Sequence, residues 1–304
     1  MKAVIFPGQG AQYVGMGASF YDNFDEAKEI FSEIDRVVGF KLSEKCFRGP
    51  AQDLKDTGVQ QLAILAVSIV AYRIFKDSVG DADIGYVCGL SLGEYSCLYA
   101  ADVLSLEDLV VLVRRRAAAM QKAAAVNPST MFAVIGLDRG TLSKEEKGGL
   151  FFIANINSPS QIAISLRKQD KDKVRDLLTE AGAKRVIELE VSGGFHSPFM
   201  EPALKDLKKV IDNLEFRQAK IPIVSNLKAK GSKDVTEIKE NLLQQLVSTV
   251  LWKDCVEFMV NNGARTFYEV GPSRVLRGLL RKINSAVEVV NIENKQDLET
   301  LISA

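Results

Sequence analysis

One serine framed by glycines and one histidine hold most of the chemical information in this chain. Gly89-Leu90-Ser91-Leu92-Gly93 follows the apolar run Tyr86-Val87-Cys88 and precedes a helix-competent segment, Glu94 to Ala101. Glycines on both sides of a serine permit a strained strand-to-helix turn that leaves the hydroxyl exposed. The five-residue string is weak by itself. Its placement between a strand and a helix points to a nucleophile, and a turn serine that merely caps a helix is the plain alternative. A helix N-terminus beside Ser91 would favour developing negative charge.

A serine nucleophile needs a base, and histidine is the usual one because its ordinary pKa lies near neutrality. The chain has a single histidine, His196, within Gly193-Gly194-Phe195-His196-Ser197-Pro198. A lone histidine is often structural or superficial; the elbow serine tips the reading toward a base. Two further features could serve such a pair. The turn Pro7-Gly8-Gln9-Gly10 presents its amides and Gln9 at a strand end, although it could be a simple β-to-α connection. It is not a dinucleotide fingerprint, since Tyr13 stands where the third glycine would fall. Arg114-Arg115-Arg116 interrupts a segment otherwise apolar enough to be a helix, and one or both neighbours of Arg116 read as solvated surface.

The elements that would position these residues are legible from periodicity. Ala3–Phe6 reads as a buried strand. Gln61–Phe75 is too long for a strand and too uniformly apolar for a surface helix, so it is a helix buried on most faces. Between about Ala125 and Ser192 come strand Met131–Leu137, a short polar helix, strands Phe151–Ile156 and Gln161–Leu166, helix Asp170–Ala181 and strand Arg185–Val191. That βαββαβ order is ferredoxin-like and sits as an insertion between two α/β segments. Beyond it the expectation is helix Pro202–Leu214, strand Ile221–Ser225, helix Glu237–Val250, strand Arg265–Val270, helix Arg274–Ile283 and strand Val287–Ile292. The fold class is therefore α/β, divided into 1–124 with 193–304 as one discontinuous unit and 125–192 as the insert.

Composition sets the outer bounds. At 304 residues, 47% hydrophobic and 26% charged, the chain can bury a sizeable core. Its 39 basic and 39 acidic residues balance, so no global field argues for nucleic acid or an anionic membrane. Cys46, Cys88, Cys97 and Cys255 have neither metal nor redox spacing, which suits a reducing cytosol or organelle matrix. The N-terminal apolar run is too brief for a signal segment, and no apolar segment is read as reaching spanning length.

Phe6-Pro7-Gly8-Gln9-Gly10-Ala11-Gln12, the Gly89–Glu94 elbow, Arg116, Gly194-Phe195-His196-Ser197 and Glu269-Val270-Gly271-Pro272 occur in this order. With them the chain resembles, from end to end, the malonyl-CoA:acyl-carrier-protein transacylase family. The resemblance implies an α/β-hydrolase-like core with a mainly parallel sheet and a ferredoxin-like insert. It implies Ser91 as nucleophile, His196 as general base, and an oxyanion hole made by the amides of Gln9 and Leu92. Arg116 would grip the free carboxylate of the malonyl group, for which a planar guanidinium fork is suited. An aromatic residue at Phe195 goes with malonyl rather than α-methyl-branched donors, because a ring leaves little room beside the α-carbon; a plain core phenylalanine is the alternative.

The chain departs from the family pattern at three places. Leu90 stands where many members carry histidine. Leu251 replaces a glutamine or arginine at the position whose backbone carbonyl is expected to orient the base. Leu62 stands where a proline is common, which bears on the helix start. The implied activity is ping-pong transfer of malonyl from malonyl-CoA to the phosphopantetheine thiol of acyl carrier protein, supplying fatty-acid biosynthesis, with a polyketide pathway not separable. It requires no metal, nucleotide or flavin. The expected partners are malonyl-CoA and acyl carrier protein, with no nucleic acid and no membrane, acting on a monomer in the cytoplasm. Acyl carrier proteins are acidic, so Arg274, Arg277, Arg281 and Lys282 are candidate contacts, or else a solvated helix face. A thioesterase would share the elbow and base but has less use for Arg116. A catalytically silent acyl-binding subunit would have no need of Ser91 and His196.

Overall fold

The computed structural model describes residues 1–80, 83–146 and 148–303. The apolar N-terminal run forms β1 (Lys2–Phe6), whose Ala3, Val4, Ile5 and Phe6 are fully buried. A strand covered on both faces reads as continuous hydrophobics, as expected in the middle of a parallel sheet. β1 pairs in parallel with β2 (Ile84–Gly89), bringing Phe6 opposite Gly89. The turns leaving the two strands, one through Pro7–Gly10 and one through Leu90–Leu92, therefore emerge side by side at the carboxyl ends of the strands. In open α/β sheets that edge is where ligands bind.

The chain then leaves the main sheet for β3 (Ser129–Ile135), β4 (Phe151–Ser158), β5 (Gln161–Arg167) and β6 (Arg185–Glu188), an antiparallel sheet of order β4-β5-β3-β6. Helices Arg139–Glu146 and Lys171–Glu180 complete the ferredoxin-like βαββαβ unit. It has its own hydrophobic cluster, including Phe132, Phe151, Ile162, Ile164 and Leu178. Returning, the chain adds β7 (Ile223–Val224), β8 (Gly231–Ser232), β9 (Thr266–Val270) and β10 (Glu288–Ile292), giving a six-stranded sheet of order β10-β9-β1-β2-β7-β8. Only β8 runs antiparallel to its neighbour. The fold is thus the expected α/β core with a mainly parallel sheet and a ferredoxin-like insertion.

Three local expectations need correction. The helix expected over Glu237–Val250 is α-helical only over Val235–Gln244; Gln245–Val247 tightens into a 3-10 turn and Val250 then bridges Asn155 of β4. The Val250 amide donates to the Ala154 carbonyl, and its carbonyl accepts from Ile156, so the segment past the helix stitches the insert to the core. The last insert strand stops at Glu188 instead of Val191; Leu189 still donates its amide to the Met131 carbonyl of β3, and Leu189 and Val191 line a cleft. And an apolar segment does reach spanning length: helix Thr57–Val79 is long and apolar enough to cross a membrane, yet 83% of its apolar window is buried inside the protein. It packs between the sheet and other helices as a core element. Its start needs no proline near Leu62, since the Asp56 carboxylate accepts from the Gly58 and Val59 amides and caps the first turn. Helices Ala18–Asn23, Asp25–Val38, Leu42–Arg48, Trp252–Asn261 and Lys295–Ile302, which the sequence pattern does not announce, join helix Leu106–Val126, which carries Arg116, in completing the described α/β unit.

Candidate active site

Ser91 sits at the end of β2 with φ 52°, in the left-handed region that non-glycine residues rarely occupy. The residues two positions to either side of it, 89 and 93, must be glycines for steric reasons. A Cβ on Gly89 would lie 1.9 Å from the Gly93 carbonyl carbon, and one on Gly93 would lie 2.2 Å from the Phe6 carbonyl oxygen. Strand, following helix and the neighbouring β1 turn are packed backbone to backbone at this point. Asn226, on the loop after β7, holds the turn from the other side. Its Oδ1 accepts from the Ser91 amide at 2.7 Å and its Nδ2 donates to the Gly89 carbonyl at 2.8 Å.

His196, about a hundred positions away, meets the elbow. Its Nε2 is 2.7 Å from Ser91 Oγ, and its Nδ1 is 2.8 Å from the Gln245 carbonyl. A carbonyl can only accept, so Nδ1 carries the proton and Nε2 is left to accept from the serine hydroxyl. His196 also has a left-handed backbone, φ 56°. Two strained non-glycine residues facing each other mark a site whose surroundings hold them there at a cost of about 1–3 kcal/mol each. Burial, and secondarily the nearby Arg116 charge, hold the imidazole down to about 4, against the opposing bond to Gln245. It is a neutral acceptor at pH 7.

The residue that orients His196 is Gln245, and Leu251 does not do it. Leu251 donates its amide to the Asn226 carbonyl, accepts from Cys255 in the first turn of helix Trp252–Asn261, and packs its side chain against the insert's core. Gln245 can reach His196 because the preceding α-helix ends at Gln244, leaving a carbonyl turned out of the helical ladder.

Arg116 is completely buried, whereas Arg114 and Arg115 are exposed. Its Nη1 donates to Gln61 Oε1 at 2.7 Å, and its Nη2 lies 3.3 Å from both Gln245 Oε1 and Ser91 Oγ. The guanidinium also stacks 4.8 Å from the Tyr95 ring centre, and its Nε has no acceptor. Among the described residues every group it hydrogen-bonds to is neutral, and the carboxylate of Glu94 stands one residue further off, beyond Gln245. Burial accordingly lowers its pKa from the usual arginine range.

Gln9 and Leu92 flank this group. Among the described residues the amides of Leu90, Ser91, Gly93, Gly10 and Ala11 all have acceptors, while those of Gln9 and Leu92 have none. The Gln9 side chain is tied to Gln60, 2.5 Å, and to Gln61, 3.5 Å. A cleft of about 130 Å³ opens here between core and insert, lined by Gly8, Gln9, Leu90, Ser91, Phe195 and His196 on one side and by Met131, Asn155 and Asn157 among others on the other. Phe195 is buried in its wall, its carbonyl held by Ser165 Oγ at 2.5 Å. Leu90 lines the cleft where the family pattern often has histidine. Gln61, Glu94, Asn226 and Gln245 complete the site without having been identified from sequence. The available signals were polar residues in apolar surroundings, Gln61 within the buried helix and Glu94 beside the elbow. Among the described residues no group of three or more His, Cys, Asp and Glu could hold a metal ion.

The basic residues proposed as partner contacts are only partly available. Arg274 is held by Glu293 and Asp297, Arg277 reaches Asn291, and Lys282 reaches Gln161 on β5. Arg281 is exposed.

An elbow serine, a neutral buried histidine, two unclaimed amides and a buried arginine on an α/β core define the equipment of an acyl-transfer enzyme. Residues 4–299 match the acyl transferase domain family. The chain is 38% identical over 305 residues to the malonyl CoA-acyl carrier protein transacylase of Bacillus subtilis, covering 99% of this chain and 96% of the relative. Among solved structures, an acyl carrier protein S-malonyltransferase from Vibrio cholerae superposes with TM-score 0.94 at 34% identity, covering 99% of each chain. A malonyl-transacylase in complex with a type II PKS acyl-carrier protein superposes equally well, TM-score 0.94 at 32% identity and 99% coverage of each chain. The chain is an acyltransferase and belongs to the malonyl CoA-acyl carrier protein transacylase family.

Proposed function

We propose that Ser91 and His196 carry a malonyl group from malonyl-CoA to the phosphopantetheine thiol of an acyl carrier protein through one malonyl-serine intermediate. Ser91 Oγ attacks the thioester carbonyl carbon as His196 Nε2 takes the hydroxyl proton. The Gln9 and Leu92 amides receive the oxyanion; a single such donor is typically worth about 10²–10³ in rate. Collapse breaks the carbon–sulfur bond, and the departing CoA thiolate takes the proton from His196. The carrier-protein thiol then attacks the ester by the same steps in reverse, restoring Ser91. The observation that carries this reading is that Ser91 Oγ has the histidine at 2.7 Å and the buried arginine at 3.3 Å. An acyl group borne on that oxygen brings its free carboxylate to a guanidinium in direct contact with no other carboxylate among the described residues, and Phe195 limits the room beside the α-carbon.

The protein acts in this reading as a monomer in a reducing compartment, needing no metal, nucleotide or flavin, with the carrier protein reaching the cleft between 125–192 and the discontinuous unit of 1–124 and 193–304. A hydrolase would share the serine and histidine but has no use for a buried cation beside the nucleophile. Labelled malonyl-CoA supplied with acyl carrier protein tests the choice. The label is expected on the carrier protein, and free malonate as the dominant product would contradict transfer.

A further inference from the structure

Among the described residues Glu94 is the one carboxylate buried beside the nucleophile, 2% exposed, and the acyl-transfer steps above do not use it. It follows the elbow at the start of helix Gly93–Ala100, and its Oε2 accepts from the Asn226 amide at 2.9 Å and from Gln245 Nε2 at 2.8 Å. Gln245 Nε2 also lies 3.2 Å from the Ser91 carbonyl, while Gln245 Oε1 accepts from Arg116 and the Gln245 backbone carbonyl holds His196. One glutamine thus has a buried anion at one end of its amide, a buried cation at the other, and the base on its backbone. A neutral amide between opposite charges is polarised by both and takes one orientation, its NH₂ toward Glu94 and its oxygen toward Arg116.

We propose that Glu94 is a positioning residue that, through Gln245, fixes Arg116 and supplies its counter-charge, so that the malonyl carboxylate binds in competition with Glu94 for the same cation. This rests on the proposed role of Arg116 in holding that carboxylate. Its consequence is a donor preference set by an internal charge. When Glu94 is ionised the site is already neutralised and malonyl gains less; when Glu94 is neutral Arg116 is unbalanced and malonyl gains more. Burial raises the Glu94 carboxyl to about 7, against the opposing bonds from Asn226 and Gln245 and the charge of Arg116. Among the described residues the other titratable groups facing it are Tyr95, Cys88, Cys97 and Arg116, and His196 is joined to it only through Gln245. Tyr95 is pushed to about 12 and both thiols well above their usual value by burial, and His196 lies near 4, whereas the Glu94 pKa is itself brought to neutrality.

The test compares KM for malonyl-CoA and acetyl-CoA, which share the CoA phosphates and differ in a carboxylate that stays ionised, at about pH 6 and about pH 8. In the unaltered protein KM for malonyl-CoA is expected to rise about three- to tenfold over that range while KM for acetyl-CoA does not follow. Glu94→Gln keeps an acceptor oxygen for both bonds; it is expected to hold malonyl KM at its low-pH value throughout. Parallel profiles for the two donors in the unaltered protein would overturn the proposal, a result that needs no variant to fold. So would a Glu94→Gln protein that loses both donors equally. Intact mass of the unaltered protein after mixing with malonyl-CoA separates the two levels: a malonyl adduct with parallel profiles removes the role of Glu94 alone, whereas no adduct removes the acyl-serine reading beneath it.

Discussion

At Ser91 and His196 the electrostatics follow from burial more than from any partner charge. The histidine sits with a carbonyl on Nδ1 where many serine enzymes place a carboxylate. A carbonyl fixes the tautomer and the ring plane but offers less stabilisation to an imidazolium, and Arg116 close by opposes protonation further. The neutral form is therefore kept as acidity rises. Acylation by acetyl-CoA, which avoids the carboxylate-dependent binding discussed above, should stay level from pH 8 to below pH 6 and fall only toward about 4. A midpoint near the ordinary histidine value, about 6.5, in a stopped-flow or quench-flow profile would contradict the burial argument. The sign for stability runs the same way. A folded-state pKa below the unfolded one makes the unfolded chain bind the extra proton, so His196 withdraws stability as pH falls through the window between about 6.5 and about 4.

At the scale of elements, the site is a meeting of ends: the ends of β1 and β2, the turn after Gly193-Gly194, and a helix that stops early at Gln244. Strand–turn–helix was legible at Ser91 because glycines announce a local steric need, and the alternation and apolar runs announced the buried helix and the insert's strands. The orienting carbonyl was not. Nothing in the local pattern at Gln245 tells that the helix breaks there, because the break is compensated by long-range bonds: its carbonyl to His196, its amide to Glu94, and Val250 to β4 of the insert. The family motif points instead to Leu251, six positions further on, whose carbonyl is already committed to the next helix. Close backbone approach at the elbow makes a sharper claim. Gly89→Ala forces a methyl to within 1.9 Å of the Gly93 backbone. Urea unfolding should show a loss of about 3 kcal/mol or more, toward or beyond the upper end of overpacking costs, together with loss of transfer. A stability change within about 0.5 kcal/mol, as at an ordinary surface site, would contradict the packing described.

For the whole molecule, the arrangement of an α/β core with a ferredoxin-like unit inserted was readable from element order alone, since βαββαβ within a longer α/β series leaves few alternatives. The cleft between the two was not, because it depends on how Val250, Thr249 and the neighbouring helices seat β4 against the core. Thr249 Oγ1 donates to the Ile153 carbonyl at 2.7 Å beside the Val250 bridge, so the insert is hydrogen-bonded to the segment that follows the base-orienting residue. Cleft and catalytic geometry are in this way one structure. Its purpose, on the present account, is to hold an acyl group covalently on the elbow oxygen between two thiol partners. Intact-mass spectrometry after brief mixing with malonyl-CoA reads that directly. The unaltered protein should gain one malonyl increment and Ser91→Ala none; an equal increment on both would place the acyl group elsewhere and remove Ser91 from its assigned role.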